Sequence, residues 1–308
     1  MKLATSSGDF VRYSNSIAQA VKAFQNTKFK YINLELDYYY EEWNLTWQEA
    51  VDVYVEAAEQ AGVIYSTAHS PILNAFAGDE EHYNHCVKII RDSIEIAGTL
   101  GITGTVIHAS HHPDFTAQDF YRENKRFYSA FFDLAEKYNI QIMTENMATY
   151  TTTPLSTGRE MREFAEYVDH PLFGVCWDTA HANLNTRARP QGQYQGIVDV
   201  GDKLMGLHIA DNFGDGPHHH TWPFAGIINF DSVMQGLLDI DYKGFFTFEA
   251  SYTLLHHLNL PYKRQPWEHN GETVTTLLDP PLELKKQAVD LMYEVGKHIL
   301  ETYNCFEV

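Results

Sequence analysis

Four apolar segments between residues 140 and 250 end in side chains of the types that bind metal ions. They are Glu145 in TENM, Asp178 in CWDTAH, His208 in GLHIADN and Glu249 in FTFEAS. A buried charge without a partner is strongly unfavourable, so such groups must be paired, hydrogen-bonded or bound to a cation. Three carboxylates and one imidazole predict a divalent-metal site, with Mn²⁺ or Zn²⁺ expected first and Mg²⁺ or Co²⁺ as alternatives.

Two histidines end the apolar segments that precede these four. His69 lies in STAHSP and His108 in VIHAS. Their imidazoles would either hydrogen-bond a substrate oxygen or hold a second metal together with Glu145, and substrate contact is the preferred interpretation. Any one of these residues alone could instead cap a helix or form an ion pair, so the prediction depends on the whole set.

The loops after two of the segments carry further candidates. His181 comes three residues after Asp178, and a run of three histidines ends at His220. His181 would contact the substrate or share another cation with Asp215 and His220. A flexible polar loop is the alternative interpretation of the histidine run, of which one member is expected to point inward.

The residues that end these segments recur at a regular spacing. Between His69 and Glu249 the successive intervals are 39, 37, 33, 30 and 41 residues. One strand with its crossover helix needs roughly 30 or more residues, and β-branched runs alternate with amphipathic stretches along the chain. Eight strands are predicted, over residues 2–7, 31–37, 63–69, 104–110, 140–146, 174–179, 205–211 and 245–250. The clearest helices are predicted over residues 46–61, 80–100, 119–138 and 281–302.

Eight such units favour an α/β fold of the closed (β/α)8 TIM-barrel type. An open doubly wound sheet gathers its ligands near a Gly-rich phosphate loop, and neither GxGxxG nor GxxxxGK[ST] follows any predicted strand. A barrel brings the carboxyl end of every strand to one rim, where the candidate side chains would converge. We expect a single domain over residues 1–308, with rim loops 212–227 and 251–281 as candidate lids.

Composition argues against several classes of partner. The 308 residues contain 22 Lys and Arg against 41 Asp and Glu, a formal net charge of −19, which disfavours nucleic acid. No run of about 18 apolar residues predicts a membrane span, and the three cysteines form no CxxC pair. A cytoplasmic protein that acts on a small molecule is expected, without nucleic-acid or membrane partners.

Two segments are specific enough to indicate a family. GVCWDTAHAN and HIADNFGDGPHHHTWPFAG resemble the xylose-isomerase-like TIM-barrel superfamily, which holds sugar phosphate isomerases and epimerases together with apurinic-site nucleases of the endonuclease IV type. The resemblance covers essentially the whole chain. It implies one metal held by Glu145, Asp178, His208 and Glu249, as in ketose 3-epimerases, and a homo-oligomer as one possible assembly.

The chain departs from the family pattern in two places. The turn after strand seven reads Pro223, Phe224, Ala225, Gly226 where the family has Pro-Gly-x-Gly, so one glycine is lost. The arginine that ketose 3-epimerases commonly use beyond strand seven has no counterpart between residues 212 and 226. An unassigned relative is therefore expected rather than a standard ketose 3-epimerase.

The functional hypothesis is a divalent-metal-dependent isomerase or epimerase that acts on a small sugar or sugar derivative through an enediolate. Glu145 and Glu249 are the candidate proton-transfer groups, and His181 would hydrogen-bond the oxygen that gains charge. The alternatives are an endonuclease IV-like zinc phosphodiesterase and a catalytically inactive metal- or sugar-binding barrel. Arg187 and Arg189 are candidates for phosphate contact, with a solvated loop as the preferred interpretation.

Overall fold

The alternating strand and helix patterns produce a parallel barrel in the structure, a computed structural model that describes residues 1–36, 45–148, 154–214, 220–254, 266–274, 276–277 and 280–308. Its strands are β1 (Lys2–Ser6), β2 (Tyr31–Glu35), β3 (Ile64–His69), β4 (Gly104–Val106), β5 (Gln141–Glu145), β6 (Phe173–Asp178), β7 (Leu204–His208) and β8 (Phe245–Phe248). The hydrogen-bonded order is β7-β6-β5-β4-β3-β2-β1-β8. Its two ends meet where Ile209 N donates to Thr247 O (2.8 Å) and Glu249 N donates to Ile209 O (3.1 Å). The predicted (β/α)8 TIM barrel is confirmed.

All eight predicted strands exist, and most end earlier than predicted. The strand predicted over residues 104–110, for example, stops at Val106, so His108 lies just beyond it. The register pairs Asp178 of β6 with His208 of β7. Because paired residues of neighbouring parallel strands lie at the same level, these two side chains reach the carboxyl rim together.

Helices surround the barrel, and several of them have clear start signals. The described α-helices are α1 (Ile17–Lys22), α2 (Trp47–Ala61), α3 (Glu80–Thr99), α4 (Ala117–Ser129), α5 (Phe132–Tyr138), α6 (Gly158–Val168), α7 (Thr179–Leu184), α8 (Gly192–Val200), α9 (Phe230–Asp239) and α10 (Leu282–Thr302). Capping boxes begin three of them, at Thr46, Thr116 and Thr157. Among the helices described, none combines the length and apolarity needed to cross a membrane.

The single helix predicted over residues 119–138 is wrong, because the structure has two helices there. Ala130 N and Phe131 N bond to carbonyls three residues back, which tightens the last turn of α4. Phe131 is fully buried and packs edge-on against Phe127, with ring centroids 5.0 Å apart. Phe131 itself leaves the helical region, with φ −120° and ψ −9°, and so separates α4 from α5.

The second candidate lid contains an element that was not predicted from the sequence. Within residues 251–281, an antiparallel hairpin pairs β9 (Trp267–His269) with β10 (Glu272–Val274), and its six strand residues are exposed. Asn270 and Gly271 between them both have positive φ, which suits a two-residue hairpin turn. The lid role of both rim loops stays a prediction.

Two glycines let helices α6 and α8 approach closely behind β6. A Cβ added at Gly158 would overlap the carbonyl of Gly196, and one added at Gly196 would overlap the ring of Trp177. Trp177 is buried, and its Nε1 donates to Gln193 Oε1 at 3.0 Å. This close packing supports the strand that ends in Asp178.

We predict that Gly158→Ala lowers the free energy of unfolding by about 1–3 kcal/mol, because the added methyl group forces the two helices apart. Urea unfolding monitored by tryptophan fluorescence measures the change. Gln195→Ala, on the exposed side of α8, is the control and should change stability by less than about 0.5 kcal/mol. A wild-type midpoint for Gly158→Ala would contradict the close helix contact.

Candidate metal centre

Asp178 is fixed at the junction of β6 and α7. Its Oδ1 accepts from His181 N at 2.5 Å and so caps α7. Asn146 brackets the same residue, since its Oδ1 accepts from Asp178 N (2.7 Å) and its Nδ2 donates to Asp178 O (3.0 Å). The second carboxylate oxygen, Oδ2, is buried and has no hydrogen-bond partner among the described residues. An unsatisfied buried carboxylate oxygen is costly unless a cation binds it.

Glu145, His208 and Glu249 converge on the same point as Asp178. Glu145 Oε1 lies 2.7 Å from His208 Nδ1, and Glu249 Oε2 lies 3.1 Å from the same nitrogen. One ligand atom from each of the four residues lies within 4.8 Å of the others. A single Nδ1 carries at most one proton and cannot satisfy two carboxylates, whereas a divalent cation can. The donor set therefore fits the predicted metal.

The charged side chains of this group shift one another's pKa values. Burial acts to raise the pKa of Glu145 and of Glu249, but the neighbouring histidines together outweigh burial and hold both pKa values well below the ordinary range. These histidines are His208, His181 and His108 at Glu145, and His208 and His220 at Glu249. Burial raises the pKa of Asp178 to about 8; His220 opposes this rise, and the two glutamates add to it. The protein alone therefore favours a proton on Asp178, which a bound cation would displace.

His69 and His108 extend the group on its β3–β4 side. His108 Nε2 lies 2.8 Å from Glu145 Oε2, and His69 Nε2 lies 3.2 Å from His108 Nε2. His69 Nδ1 lies 2.8 Å from Ser70 O, which places a proton on Nδ1, and Nε2 is the nitrogen that faces His108. The geometry is compatible with both predicted roles, a substrate contact and a second cation that shares Glu145.

A third group joins His181 and His220 to Asp178. One ligand atom from each of the three lies within 4.8 Å of the others, and the two imidazole rings have centroids 5.1 Å apart. His220 is buried, as predicted for one member of the histidine run. Asp215, the other predicted member of this group, lies outside the described residues.

Glu35 belongs to the same rim and was missed in the sequence analysis. It ends β2, is 6% exposed, and its Oε1 accepts from Ser6 Oγ (2.7 Å) and Asn33 Nδ2 (2.8 Å). Burial raises its pKa to about 7, with His69 opposing the rise. The sequence signal for Glu35 is the same as for the other rim residues, an acidic residue at the end of an apolar strand, here the second one.

Cys176 is a second residue that the sequence analysis missed. One ligand atom each from Cys176, Glu145 and His208 lie within 4.8 Å of one another, and Cys176 and His208 line an interior cavity of about 130 Å³. Cys176 precedes Asp178 by two residues in a strand, so both side chains face the barrel interior. That two-residue period was a usable signal, although a thiol inside an apolar strand is most often simple core.

The loop after β7 is folded around one carboxylate. Asp211 accepts four backbone N–H bonds, from Asn212, Phe224, Gly226 and Ile228, at 2.8–3.0 Å. Its own backbone pairs with Thr221, next to His220. Phe224 adopts φ 74°, so the lost glycine is replaced at the cost of backbone strain. At Gly226 a Cβ would overlap Asp211 Oδ1, which explains why this glycine remains.

The two candidate phosphate-binding arginines contact protein groups. Arg187 Nη1 pairs with Glu160 at 2.5 Å and its Nη2 donates to Ser156 Oγ at 2.9 Å. Arg189 donates to the carbonyl of Gly214 in the loop after β7. Both guanidinium groups therefore stabilise rim loops.

Among the curated relatives that the chain resembles are two whose names state different activities. A ketose 3-epimerase of Arthrobacter globiformis is 28% identical over 118 residues, which is 38% of this chain and 37% of that protein. A probable endonuclease 4 of Nitrosopumilus maritimus is 28% identical over 159 residues, 48% of this chain and 56% of that protein. The chain spans between 37% and 62% of the length of the first curated relatives that it matches.

Structural similarity extends over the whole chain. The crystal structure of a D-tagatose 3-epimerase-like protein superposes with a TM-score of 0.74 and 21% identity, and the match covers 99% of this chain and 98% of that one. The family model described as xylose isomerase-like TIM barrel matches residues 21–270. Since that match covers most of the 308 residues, the chain belongs to the xylose isomerase-like TIM-barrel family.

Proposed function

We propose that this protein is a divalent-metal-dependent epimerase or isomerase that acts on a small sugar or sugar derivative. The observation that carries the proposal is the convergence of Glu145 and Glu249 on His208 Nδ1, at 2.7 and 3.1 Å, with Asp178 completing the ligand set. Relatives named as sugar epimerases support it. The net charge of −19 also favours a small neutral substrate over a polyphosphate such as DNA.

Glu145, Asp178, His208 and Glu249 would hold the cation, with Mn²⁺ or Zn²⁺ as the first candidates. When bound, it would polarise the carbonyl and the adjacent hydroxyl of the substrate and stabilise the charge that develops there. Glu145 and Asp178 are buried, whereas the Glu249 side chain is 22% exposed. Its Oε2, the oxygen nearest to His208, is nevertheless buried, so the exposed part of Glu249 is elsewhere on the side chain.

The two glutamates supply the proton transfers. One carboxylate takes the proton from the carbon beside the carbonyl, which leaves the substrate as an enediolate. In epimerisation the other carboxyl returns a proton to the opposite face of that carbon, and in isomerisation the neighbouring carbon receives the proton. Glu145 comes from β5 and Glu249 follows β8, so the two approach the site from different parts of the rim.

His181 is the candidate partner of the substrate oxygen that gains charge. Its Nδ1 lies 2.8 Å from Asn146 O, which keeps a proton on Nδ1. The remaining nitrogen, Nε2, donates to an oxyanion only when the ring is an imidazolium. Glu145 Oε1 lies 3.7 Å from His181 Nδ1, so His181 borders the candidate metal centre.

A zinc phosphodiesterase is the second candidate function. The observation in its favour is the presence of adjoining groups, His69–His108–Glu145 and Asp178–His181–His220, beside the four-ligand group. Two or three bridged cations would generate hydroxide and neutralise a phosphate. Glu145 and Asp178 are the residues that the groups would share.

Metal content distinguishes these functions. Elemental analysis of protein purified without a histidine tag or chelator should give one Mn, Zn, Co or Mg per chain for the epimerase or isomerase. Two to three Zn per chain would favour the phosphodiesterase and call for an assay on abasic DNA. Protein that binds no metal after reconstitution would contradict both proposals.

Proton transfer at carbon is tested with Glu145→Gln and Glu249→Gln. Each should slow deuterium incorporation from ²H₂O into a turned-over ketose by about 10²–10⁴-fold, because the amide cannot accept the proton. The assay uses metal-loaded protein with its metal content measured, on a panel of ketopentoses and ketohexoses. Glu56→Gln, on the exposed part of α2, is the control. Wild-type exchange in both site variants would refute the assigned roles.

A further inference from the structure

A buried lysine lies behind the rim, outside the metal centre. Lys285 of α10 is 1% exposed, and its Nζ lies 3.7 Å from Asp9 Oδ1. Asp9 follows β1 and accepts from Thr5 Oγ1 at 2.6 Å. Burying an ion pair costs more than an exposed pair gains, and apolar residues of similar size often serve stability as well or better. Stability alone therefore does not explain why a lysine occupies this buried position.

The contacts of Lys285 indicate that role. Its Nζ donates to the backbone carbonyls of Ser251 (3.2 Å) and Thr253 (2.5 Å). These carbonyls belong to the turn that begins immediately after Glu249, in which Thr253 N also donates to Ala250 O at 3.0 Å. One ammonium group with three donors thus joins α10, the β1 loop and the β8 loop.

The same turn reaches the loop after β7. Tyr252 N, between the two tethered carbonyls, donates to His220 O at 3.1 Å. His220 Nδ1 in turn lies 3.6 Å from Glu249 Oε2. A shift of this turn would therefore move Glu249 directly and His220 through its backbone.

We propose that Lys285 is a positioning residue, whose hydrogen bonds to Ser251 O and Thr253 O fix the turn that places Glu249 and His220 at the metal centre. The inference rests on the proposed metal-dependent function. Groups that orient metal ligands commonly change metal affinity by about 10- to 100-fold when they are removed.

Four variants of the 308-residue chain distinguish a positioning role from a stabilising one. They are Lys285→Met, Asp9→Asn, the double variant that combines these two changes, and Lys286→Met. Lys286 is the adjacent, more exposed lysine, so its variant is the control. Lys285→Met leaves the Asp9 carboxylate buried without its cation and should be destabilised. The double variant removes both charges and should recover most of the wild-type unfolding midpoint. Asp9→Asn and Lys286→Met keep the tether and should bind metal like wild type.

Calorimetric titration of chelator-stripped protein with Mn²⁺ and Zn²⁺ gives the decisive comparison. The double variant should bind about tenfold or more weakly while its stability recovers, and amide hydrogen exchange should quicken across residues 250–254. Wild-type affinity and exchange in the double variant would overturn the inference, as would an equal loss of affinity in Asp9→Asn. Lys285→Leu, which also lacks a hydrogen-bond donor, replaces Lys285→Met in the single and the double variant if the methionine variants do not fold.

Failure of the proposed function would give a result that differs from failure of the positioning inference. If wild-type protein binds none of Mn²⁺, Zn²⁺, Co²⁺ and Mg²⁺, the metal-dependent function is refuted, and the exchange data then decide the positioning role. Faster exchange at residues 250–254 in the double variant, with none in Lys286→Met, would support the tether. Unchanged exchange would overturn it.

Discussion

The candidate site is organised around one buried carboxylate, that of Glu145, which two histidines contact from different sides. Glu145 is 1% exposed, and its two oxygens lie 2.7 Å from His208 Nδ1 and 2.8 Å from His108 Nε2. Because a buried charge must be compensated, each neighbouring group has to be delivered to it in a fixed orientation. A closed barrel meets this requirement, since strands far apart in sequence end at the same rim. The site is thus one connected network of ligands.

Backbone contacts keep the parts of this network in place. Asn146 fixes Asp178 through two hydrogen bonds to its backbone. Asp211 gathers four N–H groups of the loop that carries His220, and Lys285 holds two carbonyls of the turn after Glu249. Asn146 thus holds the last residue of β6, whereas Asp211 and Lys285 order segments of the loops that follow β7 and β8. Loops at the carboxyl rim gain precision in this way without extending the strands.

The sequence sufficed to predict the eight strands, the barrel and most of the rim residues, because strand-end acids and histidines at intervals of 30 to 41 residues form a local, periodic signal. Glu35 carried that signal but was overlooked. The break at Phe131 depends on how aromatic rings pack between α4 and α5, which periodicity does not encode. Lys285 was unpredictable for another reason, since its partners Asp9 and Ser251 meet it only when the last helix returns to β1. Asp215 stays a prediction.

The distribution of the four ligands along the chain also has a consequence for biosynthesis. Glu145, Asp178, His208 and Glu249 all come from the last four strand–helix units, while β8 completes its pairing against β1. A growing chain therefore lacks the full set of proposed metal ligands until Glu249 has been made. The barrel closes only when β8 then pairs with β1. A cation that binds only the closed form would stabilise finished molecules and leave partly folded ones unaffected. Metal supply would then influence how many newly made chains survive proteolysis.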